Sequence, residues 1–401
     1  MKRLMLALVS MIGLTAAEPL PDTGASPKPD TRKYATYDYT DAAKKAKLRL
    51  VIPEGLELVR GILVVPPFSG GDTREFHQQV WYREFLHFHG FAFLGADWAG
   101  SNDDRYKVFQ AALKQFAAES KHPELLNAPY AATGFSAGGG FSSKLVAEVP
   151  DKVIAAVIVG SRPNLGAVTD ALRGVPICVL NGEDEGNGMA ALVEPMLAEQ
   201  RPKGALWGWM SLQGIGHERD AQEVFAMPML DAAVRLRYPT DADVRKGAVK
   251  LKPVDPSSGW VADNTSWKSG RTSIAPAAEF KGDVKKSSWL LNEDLAFIYR
   301  AMATYDKPLK IASPRHTPDN ARTLVWDADS RVAITVDDSK FGGWKKLELF
   351  DGSKKVSERA KGPATFTVKD LKEGYHAFSA LGTDAKGNVR PSDPVLVTVR
   401  K

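Results

Sequence analysis

The residues best placed to do chemistry lie in the stretch ATGFSAGGG, where Ser136 stands between Gly134 and Gly138. Glycine at both flanking positions permits a turn so tight that side chains there would collide with the neighbouring strand and helix. Apolar residues before the motif predict a short buried strand, and the apolar spacing over 141–149 predicts a helix. A serine at such a junction presents its hydroxyl as a nucleophile that could attack a carbonyl carbon.

A serine nucleophile needs a base, and the base needs an acid that orients it. Downstream of Ser136, an apolar run over 176–180 predicts a buried strand, and three consecutive carboxylates follow it: Glu183, Asp184 and Glu185. A second run over 205–212 predicts another strand, and His217 follows in the loop GIGHE. The order of the candidate groups along the chain is therefore serine, acid, histidine.

These parts together resemble the α/β-hydrolase family over roughly 48–238, where the chain order is Ser, then Asp or Glu, then His. The resemblance implies a mostly parallel sheet flanked by helices, with the reactive groups on loops at the carboxyl edge of that sheet. It implies Ser136 as nucleophile, His217 as base and Asp184 as acid, because family members often carry Asp shortly after a Gly at this strand end. Glu185 stays open as the alternative acid, since adjacent carboxylates cannot be ranked from sequence.

The resemblance also implies an oxyanion hole made of two backbone amides. One is the amide of Ala137, directly after the nucleophile, and the other lies on the loop that follows the predicted strand 61–65. The first two residues of that loop are prolines, which have no amide hydrogen to donate. Phe68 is then the first choice and Ser69 the alternative, although the His-Gly pair common in the family is absent here. The Phe68 ring could equally fill core or line an acyl pocket.

The next helix is predicted to open at Asp72, because Glu75 three residues later completes a capping-box pattern. Near its end stand His87 and His89, just before Gly90. Because no third ligand is spaced nearby, we do not interpret them as metal ligands. We interpret them as cations in the last turn of the helix, where the helix dipole stabilises positive charge. The sequence predicts no metal and no cofactor.

The composition is that of a globular enzyme, with 44% hydrophobic and 25% charged residues. Residues 1–17 form a predicted signal peptide, with Lys2 and Arg3 before an apolar run and a small-residue cleavage site. Export to the periplasm or the exterior is expected, and a flexible mature amino terminus over 18–30. Removal of the two leader cations lowers the formal charge from +5 to +3, too little to indicate nucleic-acid binding. No later run is long enough to span a membrane.

After the predicted catalytic domain, 31–240, the spacing of apolar residues in the sequence changes at about 241 and again at about 314. Over 241–313 the periodicity is poor, but the tryptophans Trp260, Trp267 and Trp289 favour an ordered extension packed on the catalytic domain. Over 314–401 short alternating runs separated by turns predict an all-β sandwich that resembles immunoglobulin-like or fibronectin-like modules. The single cysteine, Cys178, falls inside a predicted core strand, so no disulfide is expected.

The resemblance is to secreted serine esterases of the dienelactone-hydrolase and polyester-depolymerase type. It implies hydrolysis of a carboxylic ester through an acyl enzyme. Polysaccharide esters, polyesters and small esters all remain open as substrates, and the oligomeric state is undetermined. The alternatives are a serine peptidase on the same fold and a catalytically silent protein that binds through its sandwich.

Overall fold

A computed structural model of the chain describes residues 30–185, 188–219, 222–314 and 325–400. The predicted signal peptide, 1–17, and all but the last residue of the predicted flexible segment, 18–30, lie outside the described residues. Within the described ranges, no helix has the length and apolar character needed to cross a membrane.

The first part of the chain is built on an eight-stranded sheet with the order β1-β2-β4-β3-β5-β6-β7-β8. Its strands are β1 (Tyr34–Asp41), β2 (Ala46–Pro53), β3 (Gly61–Val65), β4 (Phe91–Trp98), β5 (Tyr130–Phe135), β6 (Val153–Val159), β7 (Ile177–Gly182) and β8 (Trp207–Leu212). β2 runs antiparallel to both β1 and β4, and every other neighbouring pair is parallel. All residues of β3 and β6 are buried, as expected for central strands covered on both faces. This confirms the predicted α/β-hydrolase sheet.

One helix follows each strand from β3 to β8, in this order: α1 (Val80–His89), α2 (Asn102–Glu119), α3 (Ala137–Glu148), α4 (Asp170–Arg173), α5 (Met189–Gln200) and α6 (Glu223–Arg237). Short 3₁₀ turns lie between them at Phe76–Gln78, Pro123–Leu126, Pro150–Lys152 and Arg201–Lys203. Because the strands from β3 onward are parallel, the loops after β3, β5, β7 and β8 all emerge at one edge of the sheet. The buried Cys178 is a core residue of β7, and burial raises the pKa of its thiol.

The start of α1 differs from the prediction. The helix begins at Val80 and not at Asp72. Asp72 Oδ1 instead accepts the amide of Arg74 at 2.9 Å, which closes a local turn. The Glu75 carboxylate pairs with Arg49 of β2, so it does not reach back to complete a capping box.

The interpretation of His87 and His89 as cations was also wrong. A ring nitrogen of His87 lies 2.7 Å from the Tyr34 hydroxyl, and burial lowers the pKa of His87 to about 4. His89 Nε2 lies 2.9 Å from Asp231 Oδ1, and burial lowers the pKa of His89 as well. At neutral pH both imidazoles are uncharged, so they pack and bond as neutral rings. In the part of the chain that the structure describes, no cluster of three or more His, Cys, Asp or Glu side chains is arranged to hold a metal ion.

The extension forms a three-stranded antiparallel sheet and one helix: β9 (Trp260–Asp263), β10 (Ile274–Pro276), β11 (Ser287–Leu290) and α7 (Glu293–Ala303). It also contains 3₁₀ turns at Val244–Lys246, Pro256–Ser258, Trp267–Ser269, Ala277–Glu279 and Val284–Lys286. Trp267 packs edge to face on Trp209 of β8, with ring centroids 5.0 Å apart. The Ser288 hydroxyl lies 2.8 Å from both the amide nitrogen and the carbonyl oxygen of Trp209. The extension therefore covers the outer edge of β8, the last strand of the eight-stranded sheet.

The last part of the chain is the predicted β-sandwich. Its strands are β12 (Lys310–Ser313), β13 (Val325–Asp327), β14 (Val332–Asp337), β15 (Lys346–Asp351), β16 (Lys354–Arg359), β17 (Thr365–Val368), β18 (Gly374–Thr383), β19 (Val389–Pro391) and β20 (Val395–Arg400). One sheet has the order β12-β14-β17 and the other β13-β20-β18-β15-β16, with β19 on β18. β12 falls inside the range predicted for the extension, 241–313, but pairs with β14. The sandwich sheet therefore begins at Lys310, before the predicted boundary at 314.

The sandwich packs against α1. Tyr375 of β18 donates its hydroxyl to the Trp81 carbonyl, and its ring meets Phe88 edge to face, with centroids 5.4 Å apart. Three further sandwich residues, Val325, Ala377 and Leu396, are buried in the hydrophobic core that the eight-stranded sheet and the extension share. The sandwich and α1 thus share apolar surface.

Polar contacts fix a second part of the same interface. The backbone amide and the hydroxyl of Ser353 donate to Asp294 Oδ1 of α7 at 2.9 and 2.6 Å. Arg390 Nε donates to Asp306 Oδ2 at 2.6 Å. Contacts to both α1 and α7 indicate that the sandwich packs as part of the same folded unit as the eight-stranded sheet and the extension.

Tyr375→Phe tests this interface. The substitution keeps the ring but removes the hydroxyl that donates to the Trp81 carbonyl, so the free energy of unfolding should fall by about 0.5–1.5 kcal/mol. Tyr37→Phe is the matched control, because no hydrogen bond joins the half-buried Tyr37 hydroxyl to another described residue. Both variants are measured by denaturant unfolding of the full chain. Equal stability of the two variants would show that Tyr375 does not fasten the sandwich.

Candidate active site

Ser136 lies at the turn between β5 and α3 in a strained conformation. Its φ is 54° and its ψ is −119°, a region that residues other than glycine rarely adopt. The turn is tight enough that a Cβ on Gly134 would lie 2.4 Å from the backbone of Gly138. The Ser136 amide donates to the Val159 carbonyl of β6 at 2.8 Å, which holds the turn against the sheet. The sequence motif thus produces the tight strand–turn–helix junction expected from it.

His217 reaches this serine from the loop after β8. Its Nε2 lies 3.0 Å from Ser136 Oγ, so the tautomer protonated at Nδ1 accepts the serine hydroxyl proton. The imidazole packs on the Phe135 ring, with centroids 4.9 Å apart and an interplanar angle of 32°. The side chain remains 40% exposed, which leaves the base accessible to a substrate.

Backbone contacts hold the carboxylate loop after β7 against the histidine loop. The amide of Asp184 donates to the Ile215 carbonyl at 2.9 Å, and the amide of Glu183 donates to the Leu212 carbonyl at 2.8 Å. At Gly182 a Cβ would lie 2.1 Å from the Ile215 carbonyl oxygen, so only glycine allows this approach. The position of the histidine therefore depends on the loop that carries the acids.

Of the three consecutive carboxylates, the structure brings Glu185 to the histidine. Glu185 Oε1 lies 3.7 Å from His217 Nδ1, and its side chain is only 2% exposed. The Gly182 amide donates to the same oxygen at 3.2 Å, while Oε2 is buried without a hydrogen-bond partner among the described residues. This 3.7 Å separation is longer than a hydrogen bond but short enough for an ion pair with a protonated imidazole. Hydrogen bonds between catalytic groups are often longer without substrate than in the complex with substrate.

Asp184, the first choice from the sequence, points elsewhere. Its side chain is exposed, because its backbone is engaged with the histidine loop on the other side. Glu183 is exposed as well, with a carboxylate oxygen 3.9 Å from Lys268 Nζ. The geometry thus favours the alternative, Glu185, over Asp184 as the candidate acid. No local sequence signal reports which of the adjacent carboxylates is buried, because burial depends on contacts between the two loops.

The predicted oxyanion donors lie on two segments that touch. Ala137 is the first residue of α3, where an amide has no acceptor within its own helix. A Cβ on Gly138 would lie 2.4 Å from the carbonyl oxygen of Pro66, so α3 packs directly on the loop after β3. In that loop the Phe68 carbonyl accepts the Gly71 amide at 3.0 Å, and Ser69 is exposed. The Phe68 ring packs on Phe135, with centroids 6.1 Å apart, so it also lines the site.

Sequence reasoning missed Arg219, two residues after the histidine. Its guanidinium pairs with buried Glu223, lies 3.2 Å from the Tyr82 hydroxyl and stacks 4.4 Å above the centre of the Phe76 ring. Phe76 and Tyr82 belong to the segment that follows the loop after β3, which carries the predicted oxyanion donor Phe68 and is called the oxyanion loop here. Arg219 therefore joins the histidine loop to the segment directly after the oxyanion loop. The only sequence signal is the four-residue spacing of Arg219 and Glu223, which is common on surfaces.

Comparison with solved structures finds similar chains. A poly(3-hydroxybutyrate) depolymerase from Bordetella parapertussis is 17% identical, with 54% of this chain and 94% of that chain covered and a TM-score of 0.35. A dienelactone hydrolase from Anabaena variabilis is 18% identical, with 51% and 96% covered and a TM-score of 0.36. Fibronectin(III)-like modules from Clostridium thermocellum are 19% identical, with 23% and 93% covered and a TM-score of 0.20.

Neither a protein-family model nor a curated protein matches the sequence of this chain. The TM-scores of these three structures are below 0.5, so they bear neither on the substrate nor on the mechanism. What this site does has to be derived from its own geometry.

Two substitutions separate the candidate acids. Glu185→Gln keeps the shape but removes the charge that orients the imidazole, and should lower kcat for an activated ester by about 10³- to 10⁴-fold. Asp184→Asn changes an exposed side chain and should lower kcat by less than about threefold. Steady-state kinetics on 4-nitrophenyl acetate measures both. A large loss with Asp184→Asn and a small one with Glu185→Gln would reverse the assignment.

Gly138→Ala tests the contact between α3 and the oxyanion loop. The added methyl group would meet the Pro66 carbonyl at 2.4 Å and push the two donor segments apart, so kcat should fall by about 10²-fold. Gly174→Ala is the control, since its Cβ would lie at an ordinary 3.4 Å from the Ala171 carbonyl oxygen and its φ is −74°. Melting temperatures of both variants identify any general loss of folding. Unchanged kcat in Gly138→Ala would mean that this contact does not set the oxyanion geometry.

Proposed function

We propose that this chain is a serine hydrolase that cleaves carboxylic esters through an acyl enzyme. The proposal is supported above all by one observation: a serine in a strained turn lies within hydrogen-bond distance of a histidine. Ser136 has a φ of 54°, and its Oγ lies 3.0 Å from His217 Nε2. Strain of this kind persists only where the surrounding structure enforces it, and it concentrates at functional sites.

In the proposed first step, Ser136 Oγ attacks the ester carbonyl carbon while His217 Nε2 accepts the hydroxyl proton. The imidazolium that forms is stabilised by the Glu185 carboxylate on its other nitrogen. The carbonyl oxygen becomes an oxyanion that accepts hydrogen bonds from the amides of Ala137 and Phe68, with Ser69 as the alternative second donor. The tetrahedral intermediate collapses as the alcohol leaves with the proton from Nε2.

In the second step, water replaces the alcohol. His217 Nε2 takes a proton from the water as its oxygen attacks the acyl carbon, and the second oxyanion collapses to release the acid as Ser136 Oγ leaves and takes the proton back from Nε2. The 40% exposure of the His217 side chain suits this step because solvent water reaches the imidazole. Export, inferred from the predicted leader 1–17, belongs to the same proposal, and its substrate classes are polysaccharide esters, polyesters and small esters.

Ser136→Ala tests the nucleophile. Turnover of 4-nitrophenyl acetate should fall by at least about 10³-fold, because only binding and oxyanion stabilisation remain. Ser69→Ala is the control, since it removes an exposed hydroxyl from the oxyanion loop but keeps the backbone amide. Wild-type turnover in Ser136→Ala would overturn the serine mechanism. Absence of turnover in the wild type on acetyl, butyryl, feruloyl and polyester substrates would favour a silent binding protein.

A further inference from the structure

A cleft lies between α5 and the extension, beside the edge strand β8. Its volume is about 530 Å³, and it is lined by α5, by Trp209 of β8 and by two segments of the extension, 264–265 and 285–286. Clefts that hold small molecules in proteins typically have roughly 300–1,000 Å³. None of Ser136, Glu185 and His217 lines it. The cleft is therefore distinct from the proposed active site and large enough for a ligand of its own.

One part of the lining is apolar. Pro195, Leu197 and Ala198 of α5 form it together with Trp209. Leu197 is 1% exposed and Trp209 is 2% exposed, so both are anchored in the core. Trp267 packs edge to face on the Trp209 ring, with centroids 5.0 Å apart, and keeps that ring in place. A ligand that fills this part of the cleft is stabilised by burial of its own apolar surface.

The extension contributes hydrogen-bond donors to the cleft. Asn264 Oδ1 lies 2.9 Å from the Ser288 hydroxyl and 3.1 Å from the Tyr299 hydroxyl, and accepts hydrogen bonds on that side. Asn264 Nδ2 donates to no described residue. The backbone amide of Asn264 donates to the Lys286 carbonyl at 3.0 Å, which holds Asn264 next to the turn that carries Lys285 and Lys286. These three side chains thus offer the cleft one amide group and two ammonium groups.

The carboxylates near the cleft do not neutralise these donors. Glu194 of α5 is the one described carboxylate in the lining, and it is exposed. Neither Lys285 nor Lys286 forms an ion pair with a described carboxylate. Asp263 Oδ1, next in sequence to Asn264, accepts the amide and the hydroxyl of Thr265 at 2.9 and 2.6 Å. The lining therefore carries more positive than negative charge, which favours an anion.

We propose that this cleft binds an amphipathic organic anion, a molecule with an apolar body and one negatively charged head group. The body packs against Leu197 and Trp209, where it buries apolar surface. The head group accepts a hydrogen bond from Asn264 Nδ2 and is attracted by Lys285 and Lys286. Lysine ammonium groups are flexible point charges, so they suit a carboxylate and a sulfonate alike. Because no residue of the proposed catalytic triad lines the cleft, this inference goes beyond the esterase function and does not depend on it.

Three naphthalene derivatives test the proposal on the full chain. 1-Naphthaleneacetate and 1-naphthaleneacetamide have the same rings and nearly the same shape, but only the first is charged at neutral pH. Calorimetric titration should show a single site for 1-naphthaleneacetate with a Kd on the order of 100 µM, and binding of the amide about tenfold weaker or more. 1-Naphthalenesulfonate identifies the head group, because tighter binding than that of the acetate assigns the cleft to sulfonates and weaker binding assigns it to carboxylates.

A charge variant places the anion at the two lysines. Lys285→Gln/Lys286→Gln should weaken binding of 1-naphthaleneacetate about tenfold or more and change binding of the amide by less than about threefold. Lys250→Gln/Lys252→Gln is the matched control, because it removes the same charge from exposed positions outside the cleft lining. Its affinities for both compounds should equal those of the wild type.

A second variant places the apolar body against α5. Ala198→Phe puts a ring into the cleft, so it should weaken binding of both the acetate and the amide about tenfold or more. Ala191→Phe is the control, since Ala191 is an exposed residue of the same helix outside the lining. Melting temperatures show whether each variant is folded, and the lysine variant decides alone if Ala198→Phe is not.

Three results would overturn the proposal. The first is no binding of either anion at about 1 mM, and the second is equal affinity of the wild type for the acetate and the amide. The third is wild-type affinity for 1-naphthaleneacetate in Lys285→Gln/Lys286→Gln, or a loss in Lys250→Gln/Lys252→Gln that is just as large. Because these measurements record binding and not turnover, their outcome is independent of whether Ser136 is a nucleophile.

Discussion

The proposed active site depends on close backbone contact between loops at the carboxyl edge of the parallel sheet. The strained turn at Ser136 is held by its amide bond to Val159, and Gly138 lets α3 rest on the Pro66 carbonyl. Gly182 permits the same kind of approach between the acid loop and the histidine loop. The contacts at Gly138 and Gly182 exclude even a methyl group, so backbone geometry fixes how closely the loops that carry the proposed nucleophile, base and oxyanion donors approach one another.

The remaining structure supports these loops from behind. The extension covers the edge of β8, the strand that carries the histidine loop, through Ser288 and Trp267. Arg219 joins that loop to the segment after the oxyanion loop, and the sandwich packs on α1 further along the same segment. The extension and the sandwich therefore both pack against elements that carry the loops of the proposed site. Their packing helps to hold those loops in place.

The sequence predicts the sheet, the sandwich and the candidate nucleophile and base because these follow from local patterns. Apolar runs, a glycine-flanked serine and a histidine after a strand are visible without knowledge of tertiary contacts. The acid is different, because Asp184 and Glu185 are equivalent locally and differ only in the folded chain, where Asp184 is exposed and Glu185 is buried with an oxygen 3.7 Å from His217 Nδ1. The same reason explains the late start of α1, where pairing with Arg49 on another strand removed Glu75 from its predicted cap. The role of Arg219 becomes visible only once its partners Glu223, Tyr82 and Phe76 are known.

The central claim is that Ser136 is the covalent nucleophile, and labelling with an activated phosphonate ester tests it most directly. The wild-type protein is incubated with the phosphonate at neutral pH, its intact mass is measured, and the modified peptide is identified by tandem mass spectrometry. We expect one adduct per chain, on Ser136. Labelling should be slower when His217 is replaced by Ala, because the imidazole no longer activates the serine hydroxyl. An adduct on another residue, or no adduct under conditions that label a reference serine hydrolase, would contradict the central claim.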